Sequence, residues 1–310
     1  MIGSGSEVLG FDTERSTDHG WGPRLTVFIE AGEVDAVRDA VERGLPDEFR
    51  GRPTRFGWDE VPVTHHVEVA EPGAWLESRI GFDPRGGISS RQWLCAPQQR
   101  LLELTAGAVF HDDGGELETV RAALAWYPDD IWLWLLASQW RRLDQEEPFV
   151  GRTAEVGDEL GSRVVAARLV RDIMRLAFLL ERRYAPYGKW LGSAFARLDA
   201  AAALQPALLD VLAATDYETR EAALVAAVEE LATRHNGLGI TAPVDATVRL
   251  FHSRPFRVLG SSRFTDVCIA RVRDPSLRSF PLIGGIDQIS DSTDVLEDAN
   301  VFAAAARLYG

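Results

Sequence analysis

Gly5, Ser6, Asp18 and Glu68 are the residues whose types and spacing point most directly to chemistry. The opening text GSGSEVLGFDTERSTDHGW sets a Gly-Ser pair, then eleven residues, then Asp18. A Gly-Ser turn at the end of a strand offers free backbone N–H groups and a hydroxyl to phosphate oxygens. Residues two apart on a strand share a face, so Asp18 and position 20 are expected to point together, with His19 turned away. Two carboxylates placed in that way hold Mg²⁺ ions roughly 3.5 to 4 Å apart, which clamp the attacking and leaving oxygens of phosphoryl transfer. Position 20 is Gly20, so one ligand of such a pair is missing. Glu68, within HVEV, is the candidate acid from a neighbouring strand.

Other side chains have a chemical and a plain reading. Arg24, just past WGP, either binds phosphate or locks the loop before it. Arg168, Arg171, Arg175 and Arg182 follow steps of three, four and seven and so lie along one helix face. That stripe either faces a triphosphate or is a solvated face paired with acids such as Asp172. Lys189, in YAPYGKW, either reaches phosphates as a point charge or is a solvent lysine in an aromatic turn with Tyr187 and Trp190. His65 and His66 on one strand must face opposite ways, so at most one of them joins Glu68. Asp112 and Asp113 in AVFHDDGG read as a turn after a short strand. Glu146, Glu147, Glu155, Asp158 and Glu159 read as an acidic run between helices, either a solvated face or a dock for a cationic acceptor.

The elements that must position these residues fall into two kinds. RLTVFIE (24 to 30) and VPVTHHVEVA (61 to 70) have strand character, and between them Val34, Val37, Val41 and Leu45 recur at helical spacing. Strand, helix and strand in order predict a mixed α/β unit over residues 1–115. After residue 90 the character changes, and RQWLCAPQQRLLELTAGAVF, DDIWLWLLASQWRRL, GSRVVAARLVRDIMRLAFLLERRY and YETREAALVAAVEELATRHNGL carry the recurrence of amphipathic or buried helices. Residues 116–310 are therefore expected to form a helical bundle, with a Pro-, Gly-, Ser- and Asp-rich tail wrapping over it in one or two short helices. The fold class is α+β.

Composition limits the partners. The 310 residues, 46% of them hydrophobic and 26% charged, suit a soluble globular protein of two domains. No apolar run approaches the roughly 18 residues that span a bilayer, and MIGSGSEVLG lacks a signal-peptide pattern, so a cytoplasmic protein without membrane partners is expected. Cys95 and Cys268, 173 positions apart, read as reduced structural thiols. A net charge of −14 disfavours long nucleic acid, whose phosphates attract basic patches.

The Gly5–Ser6 pair, the spacer, Asp18 and Glu68 resemble the signature of the nucleotidyltransferase-like proteins of the DNA polymerase beta superfamily. The longer text, with QQRLLELTAGAVFHDD, EEPFVGR, ERRYAPYGKWLGSAFARL and DSTDVL, resembles one branch of it, a family of unknown function (the DUF4037 family). The resemblance implies a nucleotidyltransferase-like core followed by a helical bundle. It further implies Mg²⁺-dependent transfer of a nucleoside monophosphate from an NTP to a hydroxyl of an unidentified small acceptor. In that reading Asp18 and Glu68 hold the metal and catalyse, while Gly5, Ser6, Arg24, Arg171 and Lys189 bind the nucleotide. Two departures bear on it. Gly20 removes a metal ligand, which implies reduced activity or a non-catalytic nucleotide-binding or protein-interaction module. Only Met1 to Ser4 precede Gly5, so either the start is placed too late or the core lacks most of the superfamily's first strand, which would leave a sheet edge or central slot unfilled.

Overall fold

The computed structural model describes residues 1–18, 20, 22–59 and 61–310, with the side chains of Thr17 and Asp18 outside that description. It is 60% helical and 9% strand, an α+β chain with a helical C-terminal region. It divides into two compact units, residues 1–125 with 292–306, and residues 126–291 with 307–310.

In the first unit, α1 (Ser6–Leu9) and a 3₁₀ turn over Glu14–Asp18 precede β1 (Arg24–Phe28). Helix α2 (Val34–Gly44) follows, and its covered residues are the predicted stripe Val34, Val37 and Val41 with Leu45 just beyond. A two-residue ladder, β2 (Glu48–Phe49) with β3 (Arg52–Pro53), leads to β4 (Arg55–Trp58) and β5 (Val61–Ala70). The main sheet has the order β1-β5-β4, with β5 parallel to β1 and antiparallel to β4. Helix α2 is the crossover that a parallel pair requires.

Helix α3 (Pro72–Ile80) starts with Pro72 in its first turn and Glu71 accepting the Ala74 N–H at 2.6 Å, and it stops at Gly81 with φ +81°. The helical stretch RQWLCAPQQRLLELT forms two helices, α4 (Ser90–Cys95) and α5 (Gln98–Thr105), because Pro97 cannot continue the first. Helix α6 (Glu116–Leu124) packs on α5, which carries this unit ten residues beyond the expected end at 115.

The second unit is built on α7 (Asp129–Glu155) and α8 (Glu159–Leu180). Asp129 and Asp130 complement the positive end of α7, and Asp158 caps α8 by accepting from Gly161 N–H at 2.8 Å. Then come α9 (Gly188–Phe195), α10 (Ala201–Ala213), α11 (Tyr217–Gly237), the short ladder β6 (Arg249–Leu250) with β7 (Arg257–Val258), α12 (Ser262–Arg271), α13 (Pro275–Ser279) and α14 (Ile286–Ile289). Trp134, Trp140, Leu143, Ile173, Leu231 and Phe264 are buried in its core. The C-terminal tail does not simply wrap the bundle. Its segment 292–306, with α15 (Thr293–Glu297) and α16 (Ala299–Ala304), belongs to the first unit, where α16 packs on α3 and α4. Among the described residues no helix is long and apolar enough to cross a membrane.

His235 is fully buried beside Trp140, whose indole N–H donates to Nδ1 at 3.2 Å. With Nδ1 an acceptor, Nε2 carries the proton and faces Thr241 Oγ1 at 3.0 Å. Burial lowers the imidazole to about 4 from 6.5. The unfolded chain therefore binds a proton at this site that the folded chain refuses, and stability falls as pH drops from 6.5 towards 4. The expected slope from this group is at most about 1.4 kcal/mol per pH unit. Urea unfolding at pH 7 and pH 5 should show it in the native protein, with a shallower dependence in His235→Gln.

Candidate functional site

The parallel register Arg24↔His66, Thr26↔Glu68 sorts the side chains into two sets. Arg24, Thr26, His66 and Glu68 share one face of the sheet, because partners in a ladder point the same way. Leu25, Val27, His65 and Val67 take the other, where α2 packs on β5 and His65 Nε2 meets Glu42 at 2.9 Å. The two histidines thus diverge as their positions require.

A cleft of about 280 Å³ opens over the first face, lined among others by Met1 to Ser4, Arg24, Thr26, Glu68, Trp75 and Arg79. Arg24 anchors one side: its Nη2 donates to the Ser4 carbonyl at 3.1 Å and pairs with Glu7, and burial lowers its pKa. Arg79, on α3, anchors the other, with Nη2 at 3.3 and 3.4 Å from the two oxygens of Glu68. Its guanidinium lies 5.1 Å from the Trp75 ring, which meets Phe28 edge-on at 5.1 Å. Arg24 Nε, Arg79 Nε and Trp75 Nε1 are buried and have no hydrogen-bond partner among the described residues. The long, half-exposed Arg79–Glu68 pair contributes little to stability, on the order of 0–1 kcal/mol, so an anion competes for Arg79 at small cost.

The remaining expected site residues are placed differently. Asp18 closes a 3₁₀ turn, and strand geometry begins only at Arg24, so the expected same-face pairing of positions 18 and 20 on a strand does not form. The side chain of Asp18, with His19, lies outside the described residues. Gly20 has φ +66°, and a Cβ added there would touch the Trp58 indole at 3.6 Å. Gly5 precedes α1 with φ +142°, and a Cβ there would collide with Arg24 and Glu7. Ser6 does not offer its hydroxyl outward, since Oγ donates to Asp12 Oδ1 at 2.5 Å. His66 is packed against Phe56 at 4.1 Å and its Nε2 meets the Phe56 carbonyl at 2.9 Å, which makes it a wall of the site.

Arg171 and Lys189 lie in the helical unit. Arg171 pairs with Asp291, and Lys189 Nζ stands 5.5 Å from the Trp190 ring. The rest of the arginine stripe is engaged as well: Arg168 pairs with Glu146 at 2.6 Å, Arg182 with Asp129 at 3.1 Å, and Arg175 is buried. The acidic residues do not form a run between helices. Glu146, Glu147 and Glu155 are all within α7. Glu147 is raised by burial and accepts the N–H groups of Leu259 and Gly260 at 2.6 and 3.1 Å. Glu159 pairs with Arg163 and Arg220. Asp112 accepts the Glu118 N–H at 2.9 Å, tying its turn to α6.

A divalent cation needs several oxygen donors. Among the described residues no group of three His, Cys, Asp or Glu is arranged to hold one, and the carboxylate of Glu68 is shared with a guanidinium. The described donors do not fit a Mg²⁺ site. Arg79 escaped the sequence reading because nothing in the text WLESRI connects it to Glu68; the one available signal is its four-residue spacing from Trp75 on a helix that returns over the sheet.

The family model of a domain of unknown function (DUF4037) matches residues 93–191, which run from α4 to α9. No curated protein and no solved structure matches the chain.

The contact between Gly5 and the Arg24–Glu7 pair sets an expectation for stability. Gly5→Ala combines a strained φ with that collision and should cost about 1–3 kcal/mol in thermal or urea unfolding. Gly32→Ala, with no atom within 4 Å of its Cβ, is the matched control and should change stability by less than about 1 kcal/mol.

Proposed function

We propose that the α/β unit is a nucleotidyltransferase-like module that receives the phosphates of a nucleoside triphosphate in the cleft over β1 and β5. The observation that carries this reading is the pair of guanidinium groups, Arg24 and Arg79, lining one cleft with Thr26 and Glu68, where Arg79 is held by a long ion pair. Arginine forks suit phosphate oxygens, which accept two parallel N–H bonds. The resemblance of Gly5, Ser6, Asp18 and Glu68 to the superfamily's signature supports the nucleotide as the source of those phosphates.

Transfer of a nucleoside monophosphate to a hydroxyl of a small acceptor belongs to the same proposal, with Asp18 and Glu68 as the acids. Phosphate entering between Arg79 and Glu68 would draw the guanidinium to itself and free the carboxylate, which could then accept the acceptor's proton. Two observations favour a second reading, a nucleotide-binding module without turnover: Gly20 where the second acid would stand, and Glu68 held by Arg79. Long nucleic acid fits neither reading, given the net charge of −14. A reducing, cytoplasmic setting suits the free and buried Cys95 and Cys268.

Calorimetry with ATP, GTP, CTP and UTP, each with and without Mg²⁺, tests the proposal. At least one triphosphate is expected to bind, and Arg79→Ala to weaken it about tenfold, near 1.4 kcal/mol. No binding of any triphosphate at millimolar concentration would overturn it. Release of pyrophosphate on adding cell extract separates the transferase from the module. Gly20→Asp adds a further reading, since Asp tolerates the left-handed region better than most residues. If position 20 is a vacated ligand site, this substitution strengthens Mg²⁺-dependent binding; unchanged affinity contradicts that role.

A further inference from the structure

Strand β1 is an edge of the main sheet, with β5 as its neighbour and nothing hydrogen-bonded to its other side among the described residues. The N–H of Ile29, one residue past the strand, donates to the Ala70 carbonyl at 3.1 Å. Alternation along a parallel strand then turns the backbone groups of Val27 towards β5 and those of Thr26 and Phe28 outward. A cleft of about 700 Å³ lies at this edge, lined among others by Met1, Ile2, Leu25 to Glu30 and Ala108 to Gly114. The short strand expected before the Asp112–Asp113 turn does not form there, and Ala108 exchanges backbone hydrogen bonds with Met1. Strand β1 thus presents an open ladder to this groove. Exposed backbone donors and acceptors of this kind are a template for another strand.

The walls describe what the groove accepts. Leu25 is 45% exposed and Phe110 79%, so apolar side chains stand open beside it. Six carboxylates, from Glu30, Glu33, Glu71, Asp112, Asp113 and Glu116, line it against the one guanidinium of Arg85. Arg85 is already bound by Glu71 at 3.0 Å and Glu116 at 2.7 Å. A second copy of this chain would bring the same acids and a net charge of −14 against them.

We infer that this groove binds an extended basic peptide, with Lys or Arg alternating with β-branched apolar residues, which adds to the sheet as a strand beside β1. Its backbone pairs with Thr26 and Phe28, its apolar side chains meet Leu25 and Phe110, and its cations meet the acidic rim. This inference does not rest on the nucleotide reading.

Amide hydrogen exchange by NMR on the full chain tests it, with a blocked heptapeptide alternating Lys and Val as the probe. In the free protein the amides of Thr26 and Phe28 should exchange much faster than those of Val27 and Ile29. The peptide should slow them at least tenfold, while the Glu/Val analogue and a Lys/Val peptide N-methylated at alternate residues leave them unchanged. The double substitution Glu30→Lys, Glu33→Lys should weaken the Lys/Val peptide several-fold. Slow exchange at Thr26 and Phe28 in the free monomer, equal binding of the Lys/Val and Glu/Val peptides, or no protection by the Lys/Val peptide would each overturn the inference. Protection that rises with protein concentration alone would assign the edge to a second copy instead.

Discussion

The parallel pairing of Arg24–Phe28 with Val61–Ala70 is the constraint on which the α/β unit depends. Side-chain direction in a ladder has period two, so a slip of one residue would exchange the two faces. The register in place sets Arg24 and Glu68 on one face and Val27 and Val67 on the other, against α2. The apolar stripe of α2 holds that register, because a slip would turn His66 and Glu68 into the helix and Val67 and Val69 away from it. The same pairing leaves the far side of β1 without a partner. One ladder therefore creates both the cleft between Arg24 and Arg79 and the groove along the open edge.

The electrostatics of the first cleft follow from what surrounds it. Arg24 is desolvated and held by a backbone carbonyl and one acid, while Arg79 rests on Trp75 and reaches a single carboxylate at long range. Arg24 is thus tied to the N-terminal segment, while the long pair of Arg79 can be exchanged at small cost. In the helical unit the arginines are treated in the opposite way. Arg168, Arg171 and Arg182 each meet an acid of their own unit, and buried Arg220 is held by Glu159 and by Ser162 at 2.6 Å. Charges of that kind organise the bundle.

Elements with an unbroken period were legible in the text. VPVTHHVEVA is a strand over its whole length, and Val34, Val37 and Val41 are the covered residues of α2. Tertiary context decided the rest. Gly20 and Gly22, with φ of +66° and +155°, turn the chain between Asp18 and Arg24, so alternation cannot extend back to Asp18. Arg79 reaches Glu68 only because α3 returns over the sheet, and no local pattern encodes that return. The acids near residue 150 read as a break between helices because Pro148 interrupts them, but α7 runs through the proline to Glu155. In AVFHDD the expected strand does not form, although Ala108 exchanges backbone hydrogen bonds with Met1.

The central claim is that Arg24 and Arg79 receive phosphate on the face they share with Glu68. A crystal structure of the protein with a non-hydrolysable ATP analogue and Mg²⁺ tests it most directly. The account requires phosphate oxygens within hydrogen-bond distance of both guanidinium groups, with Arg79 drawn off Glu68. Phosphates bound elsewhere, with Arg79 still on Glu68, would contradict it.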